Sequence, residues 1–476
     1  MRVSEYYGLG KNQASLDFVD VHIDTDTRLF IDPTALHLLD GGWGDRCISL
    51  IQDYFSLVLQ RIKDGEHKEA RKLLASLNEP NETKLGYSAG RPHGHGMGKK
   101  LAEKMWHGLK ESQAVRTGLI KDLEDTALLI DGIASDVISD IVTNIIRGAL
   151  LEYTADMCRE YGIPLQSGVA SGPIWNPDVK MWQRKHVEQP VTHDGRLLLV
   201  PKAIVRHTIT YQADNYYNMY ILSKMQEEEA AKGLVQILKS GETKPLSKKS
   251  LKERFGSAGK QQNRRFTPDW PEVLDQYRSD KQSEPKEPLS HNQIAATVSV
   301  PGPDWDNLLN RLSSVPIGAN GAHEYELVIK DLLTALFYPW LMYPKTQVKI
   351  HDGRKRIDIT FTNAAEDDFF AWVRNNYFAP YIIVECKNYA ADPVNPELDQ
   401  LSGRFGNRRG QFGILVCRNI EDKNRFTQRC KDTATDGRGY IIALDDEDIR
   451  QLVSAVRFGN KDERLDLLRD RFRELT

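Results

Sequence analysis

The stretch Tyr381–Tyr389, which reads YIIVECKNY, decides the fold of the last third of this chain. Its first four residues, Tyr381–Val384, form a short apolar and β-branched run that is typical of a strand buried on both faces. Glu385 and Lys387 follow at the carboxyl end. Because side chains alternate along a strand, these two charges share one face and Cys386 lies on the other. An acid and an amine at the end of a buried strand are costly without partners. The pair therefore indicates either a metal-binding carboxylate beside a lysine or a salt-bridged strand end.

The segments on both sides of this strand predict further helices and strands. Apolar residues at helical spacing predict a helix over Gly321–Phe337, with Glu326 on the flank of its apolar stripe. A hairpin follows, with a first strand at Val348–Ile350 and a second at Arg356–Phe361 that carries Asp358. After the central strand, the pattern predicts a helix over Glu397–Phe405 with Gln400 on its polar face, a strand over Phe412–Cys417, a helix from about Asp422 and a strand over Tyr440–Leu444.

This order of elements resembles the PD-(D/E)XK nuclease superfamily, and in particular its Mrr-like restriction enzymes, over roughly residues 316–450. The residues that match the family pattern are Glu326, Asp358, Glu385, Lys387 and Gln400. Two features depart from it. Ile357 replaces the proline of the family's name, and an insert around 366–379 lengthens the spacing from Asp358 to Glu385.

The resemblance implies a restriction-endonuclease-like domain with a mixed sheet and flanking helices. It implies an endonuclease that hydrolyses phosphodiester bonds, most of all in double-stranded DNA, with Mg²⁺ as cofactor and Mn²⁺ as a substitute. Asp358 and Glu385 would hold the metal together with the backbone carbonyl of Cys386. Glu326 would complete the shell or bind a second ion. Since Mg²⁺ prefers oxygen ligands and retains waters, two or three carboxylates suffice.

The remaining roles follow from the same resemblance. Lys387 would orient or deprotonate the attacking water, and Gln400 would position water or phosphate. A large regulatory domain joined to such a nuclease resembles prokaryotic restriction or antiphage-defence proteins. We therefore expect a homodimer or higher oligomer, or a partner protein of a defence system.

Two alternatives stay open. In the first, the domain keeps the nuclease fold only to bind nucleic acid. The intact set of Asp358, Glu385 and Lys387 argues against this, because an uncompensated buried charge cluster is expensive. Alternatively, the chain is mainly a sensor or scaffold in which the N-terminal part binds a partner and gates the nuclease.

Composition excludes several classes of protein. The chain has 476 residues, a net charge of −3 and 28% charged residues, so any contact with nucleic acid must come from local patches. Its five cysteines form no CxxC pair, which argues against a structural zinc site and favours a reducing, cytoplasmic location. The sequence shows no signal peptide and no apolar run approaching 18 residues, so we expect no membrane role.

The length predicts two or three domains. We expect a mostly helical α+β N-terminal domain of unassigned fold over 1–280, with a sub-boundary near 165, for regulation or recognition. A polar linker over 281–300 and the nuclease domain over 301–476 follow. In the N-terminal part, the pattern predicts a strand-like segment over 15–29, a helix from Thr34, helices over 47–65 and 131–161, and strands over 196–201 and 204–211.

Two polar segments of the N-terminal part carry candidate binding residues. The loop Gly90–Gly98 contains His93 and His95, but its spacing fits neither a P-loop nor a dinucleotide fingerprint, and we interpret it as an exposed loop. The segment 239–265 carries nine basic and two acidic residues, which favours either a solvated helix or contact with a phosphate backbone. The candidate nucleic-acid contacts are Lys248, Lys249, Lys252 and Arg254 in this segment, and Arg404 and Arg408 in the nuclease domain.

Overall fold

A computed structural model of the chain describes residues 1–39, 42–87, 97–237, 243–284, 287–459 and 463–476, with side chains for all of these except 97–101 and 237. The fold is mixed α/β, and helices predominate. Its buried apolar residues form two hydrophobic cores. The first collects residues up to Val298 and the second collects residues from Trp305 on, apart from a few that cross over where the two parts meet. None of the helices in the described ranges has the length and apolar character needed to span a bilayer.

The N-terminal part is built from helices and from short paired strands. The 21-residue helix Trp43–Lys63 buries one apolar face, as the pattern predicted for 47–65. The other α-helices are Val3–Tyr6, His67–Leu74, Met97–Glu111, Gln113–Arg116, Asp125–Leu129, Ser135–Ile145, Arg147–Tyr161, Ala213–Asn215, Leu222–Ala231, Lys248–Phe255, Lys260–Phe266, Pro271–Ser283 and His291–Thr297. The 3₁₀ segments are Gln13–Ser15, Pro33–Leu38, Asn81–Thr83 and Lys202–Ile204, and Tyr216–Ile221 is a π-helix. The paired strands are Phe30–Ile31 with Val205–Arg206, Gln166–Asn176 with Met181–Gln189, Val191–Thr192 with Gly195–Arg196, and Val235–Ile237 with Thr243–Pro245.

Four sequence predictions in this part need correction. The helix expected over 131–161 is two helices, because the backbone leaves helical geometry at Ile146 (φ −87°, ψ 8°). Of the strand expected over 196–201, Arg196 pairs with Val191 and Pro201 forms an isolated bridge with Phe18, and the apolar run between them is buried in an irregular path. The strand expected over 204–211 is paired only at Val205–Arg206. The helix expected from Thr34 is a short 3₁₀ segment.

The C-terminal part contains a five-stranded mixed sheet. Its strands are β1 (Leu341–Ile350), β2 (Lys355–Asn363), β3 (Tyr381–Lys387), β4 (Phe412–Cys417) and β5 (Tyr440–Asp445). Their order in the sheet is β5-β4-β3-β2-β1. The pairs β1/β2 and β2/β3 are antiparallel, whereas β3/β4 and β4/β5 are parallel. The central strand β3 is buried from Ile382 to Cys386, as its apolar sequence predicted.

Seven helices accompany this sheet. They are α1 (Trp305–Ser314), α2 (Ala322–Phe337), α3 (Asp368–Asn376), α4 (Asn395–Ser402), α5 (Lys423–Thr435), α6 (Asp446–Phe458) and α7 (Glu463–Arg473). The sequence predictions for α2, β4, β5 and the start of α5 hold within one or two residues. The insert between Asp358 and Glu385 forms α3, whose buried phenylalanines Phe369 and Phe370 belong to the second core.

The two parts are packed against each other. The segment 281–300, expected as a linker, contains the helix His291–Thr297 and contacts both parts. The Tyr338 hydroxyl donates to the carbonyl of Leu289 at 3.1 Å. At the edge strand β1, the backbone N–H of Tyr343 donates to the buried carboxylate of Asp17 at 2.8 Å. The loop that carries His93 and His95 lies outside the described residues, as does part of the basic segment, 239–242.

Candidate active site

The antiparallel pair β2/β3 brings two carboxylates together on one face of the sheet. Ile359 lies opposite Val384. One step further along the pair, Asp358 comes opposite Glu385, with both side chains on the same face because of strand alternation. The backbone N–H of Cys386 donates to Asp358 Oδ2 at 2.9 Å, which fixes this carboxylate against the end of β3.

Glu385, Lys387 and Gln400 form a connected polar triangle. Lys387 Nζ donates to Glu385 Oε1 at 2.9 Å and to Gln400 Oε1 at 3.0 Å. The side-chain amide of Gln400, from α4, donates to the same oxygen of Glu385. The Glu385 side chain is only 1% exposed, and its other oxygen, Oε2, is buried without a hydrogen-bond partner in the described part of the chain. This carboxylate therefore keeps one buried lone-pair site for a ligand.

Burial raises the pKa values of both carboxylates, and the nearby cationic side chains offset only part of this effect. Burial and the nearby charge of Asp358 raise the pKa of Glu385 to about 7, although Lys387 opposes the shift. Burial also raises the pKa of Asp358, against the lowering effect of the Cys386 N–H and of the cationic side chains around it. A pair of buried carboxylates in which one raises the proton affinity of the other is stabilised by a bound cation or by a proton.

Glu326 of α2 belongs to the same group, and its neighbour Glu324 does not. Burial and the charge of Asp358 raise the pKa of Glu326. Gln347 of β1 donates from Nε2 to Glu326 Oε2 at 2.6 Å and so orients the carboxylate. Glu324 is exposed to solvent. The two residues lie about 200° apart around the helix axis, so they cannot serve the same site.

The carboxylate oxygens of this site are of the type that a hard divalent cation prefers. Asp358 and the unpartnered Oε2 of Glu385 provide carboxylate oxygens, and Mg²⁺ is commonly held by one or two carboxylates with waters completing the shell. Among the described residues, no three Asp, Glu, His or Cys side chains are grouped closely enough to enclose a metal by themselves. The Cys386 thiol is buried in the core on the opposite side, so this residue can contribute only its backbone carbonyl.

Arg404, which the sequence indicated as a nucleic-acid contact, lies close to the carboxylates. Its charge lowers the pKa of both Asp358 and Glu385. Its Nε is buried and has no hydrogen-bond partner within the described ranges. Arg356, two residues before Asp358 on the same face, also lowers the pKa of Asp358. Sequence reasoning did not select Arg356, although its spacing of two from Asp358 was a usable signal.

The other candidate nucleic-acid contacts are spread over two surfaces. Arg408 is exposed in the loop after α4. In the basic segment, Lys248 donates to the carbonyl of Asn218 at 2.7 Å and Arg254 pairs with Glu229 at 2.9 Å. Lys249 and Lys252 have no ion pair or hydrogen bond with other described side chains, although Lys252 is partly covered. The structure thus groups the five candidate catalytic residues and does not bring the basic segment into the same constellation.

Two comparisons with known proteins give a match. Residues 8–212 match the model of a family described as a domain of unknown function (DUF8370). The chain is also similar to a protein of Escherichia coli (strain K12) described as "Putative transposon gamma-delta 80.3 kDa protein", with 24% identity over 182 residues. The match covers 37% of this chain and 25% of the relative, so the chain spans about a quarter of the length of that curated protein. No solved structure gives a significant match. The chemistry of the candidate site therefore has to be argued from its own residues.

Proposed function

We propose that the C-terminal part is a metal-dependent endonuclease that hydrolyses phosphodiester bonds in DNA. The observation that carries this proposal is the constellation at the end of β3. Asp358 and Glu385 share one face, Lys387 is held beside Glu385 by Gln400, and Glu385 keeps a buried oxygen without a partner. The buried oxygen of Glu385 without a partner lies beside a second carboxylate, Asp358, whose charge raises the pKa of Glu385, and this combination favours a cation site.

The topology supports a restriction-endonuclease-like domain. Helix α2, the hairpin β1/β2, the central strand β3, helix α4 and the parallel strand β4 follow in the order that the PD-(D/E)XK resemblance implies. The carboxylates lie on the antiparallel pair at the centre of this sheet, and the lysine is two residues after the second one. The name of the E. coli relative includes the word transposon, which favours a nucleic-acid context and does not specify an activity.

The residues of this chain would share the work as follows. Asp358, Glu385, the carbonyl of Cys386 and, in an outer position, Glu326 would hold Mg²⁺, which supplies Lewis-acid stabilisation of the phosphate and promotes deprotonation of water. Lys387 would hold the attacking water and donate to charge that develops on the phosphate. Gln400 keeps the Lys387 ammonium in position through its 3.0 Å hydrogen bond. Arg404 would neutralise a phosphate oxygen through its unpartnered guanidinium nitrogen.

The N-terminal part is proposed to regulate access to this face of the sheet. It contacts the edge strand β1 directly, because Tyr343 and Thr346 donate from their backbone N–H groups to Asp17 and Glu160. A domain fixed to the edge of the catalytic sheet is positioned to restrict the approach of a duplex. In this arrangement the nuclease would be gated by its N-terminal domain, in agreement with the sensor function that the sequence left open.

The test is cleavage of plasmid DNA by the purified chain with Mg²⁺, with Mn²⁺ and with EDTA. Asp358→Asn and Glu385→Gln keep the shape of each side chain and remove its charge, so each should lower Mg²⁺-dependent cleavage by at least about 10²-fold. Lys387→Met should lose cleavage to a similar degree and keep metal affinity measured by calorimetry. Glu366→Gln, which changes an exposed carboxylate of the same domain, is the matched control.

Three results would count against the proposal. The first is cleavage that persists in EDTA. The second is equal loss of activity in Glu366→Gln and in Glu385→Gln. The third is the absence of cleavage of DNA or RNA by the full chain at any Mg²⁺ or Mn²⁺ concentration, together with the absence of Mg²⁺ binding.

A further inference from the structure

A cavity of about 280 Å³ lies between the two parts of the molecule. From the N-terminal part it is lined by Trp43, at the start of the helix Trp43–Lys63, and by Tyr153. From the C-terminal part it is lined by residues of β1, β2 and β3 and by Arg409 of the loop after α4. Its volume is near the lower end of the range of about 300–1,000 Å³ found for small-molecule sites. It can hold one ligand the size of a mononucleotide.

The cavity adjoins the candidate active site on the same face of the sheet. Thr360 and Thr362 of β2 and Ile383 of β3 line it, and strand alternation puts them on the face that carries Asp358 and Glu385. Two residues along a strand correspond to about 7 Å, so a ligand against Thr360 is one side-chain length from Asp358. The cavity and the carboxylates therefore lie along the same face of the sheet.

The walls of the cavity present flat aromatic rings that are held in place. Tyr153 and Tyr343 stack across the domain boundary, with ring centroids 5.5 Å apart and an angle of 27°. Their hydroxyls are already engaged, since Tyr153 donates to Asp17 and Tyr343 donates to Asp156. The Trp43 indole N–H donates to the carbonyl of Ala149 at 3.1 Å. With these polar ends fixed, what the residues offer to a ligand is mainly ring surface, which favours a planar partner.

The polar groups of the cavity suit hydrogen bonding and negative charge. Neither the Thr360 nor the Thr362 hydroxyl makes a hydrogen bond to any side chain or backbone group that the structure describes, and both line the cavity. The Arg409 guanidinium is braced by the carbonyls of Arg404 and Phe405 and has no carboxylate partner among the described residues. Lys345 adds a second cation, shared with Asp156 at 3.0 Å. A lone arginine beside aromatic rings and free hydroxyls is typical of sites that bind a phosphate attached to a flat ring.

We propose that this cavity binds a nucleotide, with its base against Trp43 and the Tyr153–Tyr343 pair and its phosphate at Arg409. Two kinds of ligand have this chemistry. One is a free mononucleotide, and the other is a single nucleotide unstacked from a bound nucleic-acid strand. The proposal goes beyond the nuclease assignment, because it concerns binding of a nucleotide and does not require cleavage of a phosphodiester bond. A ligand in this position would contact both parts of the molecule at once and so influence how they are held together.

The experiment measures binding of 5′-mononucleotides to the full chain in EDTA, by titration calorimetry and by quenching of tryptophan fluorescence. We expect saturable binding, and adenosine without its phosphate should bind at least about tenfold more weakly than AMP. Trp43→Leu should weaken AMP binding about tenfold through the loss of stacking. Arg409→Gln should do the same for AMP and leave adenosine unchanged. Trp372→Leu, which changes an exposed tryptophan outside the cavity, should change neither.

A parallel titration with a single-stranded oligonucleotide distinguishes the two sources. Saturable mononucleotide binding that is weakened by both Trp43→Leu and Arg409→Gln supports a free mononucleotide as the ligand. Binding of the oligonucleotide alone, also weakened by Arg409→Gln and Trp43→Leu, supports a nucleotide of the bound strand. The proposal is overturned if no nucleotide binds, or if binding is the same in wild type and in folded Arg409→Gln. Arg409→Gln changes a partly exposed side chain, so it keeps the test decisive if Trp43→Leu does not fold. A failure of the cleavage assay is distinguishable from a failure of nucleotide binding, because cleavage depends on Asp358 and Glu385.

Discussion

At the scale of single residues, the sequence predicted the members of the site better than their contacts. Alternation along YIIVECKNY put Glu385 and Lys387 on one face, and the structure joins them at 2.9 Å. The family resemblance pointed to Gln400 as a residue that positions water or phosphate, and its contacts with Glu385 and Lys387 are seen only in the structure. The position of Arg404 was predicted less well, because the helix expected over Glu397–Phe405 ends at Ser402 and Arg404 lies in the turn after it.

The difference between Glu326 and Glu324 gives a matched pair of substitutions. Glu326 is 15% exposed and oriented by Gln347, whereas Glu324 faces solvent. Glu326→Gln should lower Mg²⁺-dependent cleavage by about 10–100-fold, as expected for a residue that supports metal ligands. Glu324→Gln should leave the rate within twofold of wild type. Initial rates on plasmid DNA at several Mg²⁺ concentrations decide the matter, and equal effects of the two substitutions would contradict the assignment.

The raised pKa of Glu385 predicts a dependence of stability on pH in the absence of metal. Its pKa is raised from 4.5 to about 7 in the folded state, so folding favours the protonated carboxyl. This contribution to stability is fully present below the unfolded pKa and is lost as pH rises from about 4.5 through about 7. Glu385→Gln should therefore unfold at a higher temperature than wild type at pH 8 and should lose this advantage near pH 4.5. Thermal unfolding in EDTA tests this, and an advantage that grows as pH falls would have the wrong sign.

At the scale of helices and strands, apolar runs predicted strands correctly in the second core and incorrectly in the first. The second core has strands that are buried along their length, and apolar runs identify them. The apolar run Leu197–Val200 has the same composition but is satisfied by irregular partners. Its backbone N–H groups donate to the Glu82 carbonyl and to the Thr154 hydroxyl instead of to a neighbouring strand. Sequence patterns record burial and do not record where the hydrogen bonds go.

The hairpin formed by Gln166–Asn176 and Met181–Gln189 was missed because its strands lack the apolar pattern that identifies a strand. Most of its residues are exposed or only partly covered, so apolar and polar residues do not alternate along it. Trp175 and Trp182 attach it to Tyr54 of the long helix, with ring centroids 5.1 and 5.4 Å from the Tyr54 ring. Two aromatic contacts in a polar ribbon are too sparse a signal to predict strands from one sequence.

The helix Lys248–Phe255 allows the DNA-binding prediction to be made more specific. Lys248 and Arg254 already have partners in the protein, so Lys249 and Lys252 are the side chains that remain for phosphate contacts. Each phosphate contact contributes about −0.9 to the slope of log K against log salt on duplex DNA. Lys249→Gln with Lys252→Gln should flatten that slope by roughly one to two units. Filter binding at several salt concentrations measures it. An unchanged slope would move DNA contact to Arg404 and Arg408, and cleavage at saturating DNA should stay the same in either case.

At the scale of the whole molecule, buried ion pairs join the two parts. Lys330 of α2 pairs with Glu160 of the helix Arg147–Tyr161 at 2.6 Å, and these side chains are 1% and 9% exposed. Glu160 also accepts from the backbone N–H of Thr346 in β1, so one carboxylate contacts two elements of the other part. Such partners are distant in sequence and of ordinary type, and no pattern in either segment predicts them. The sequence could therefore predict two parts but not their fixed relation.

The Lys330–Glu160 pair allows a test of the energetic coupling between the two parts. Lys330→Met fills a similar volume and leaves Glu160 buried without its cation, which should cost about 3–5 kcal/mol. Adding Glu160→Gln removes the unpaired charge, so the double variant should recover part of that loss and show a coupling energy of about 1–3 kcal/mol. Lys349→Met, at an exposed position of β1, is the control and should change stability by less than about 0.5 kcal/mol.

Scanning calorimetry separates the possibilities. If the interface joins the parts energetically, wild type unfolds in one transition, and Lys330→Met either lowers it or splits it in two. Additive effects of the two substitutions would mean that the pair carries no coupling, and the N-terminal part would then have no fixed hold on the catalytic sheet through this contact.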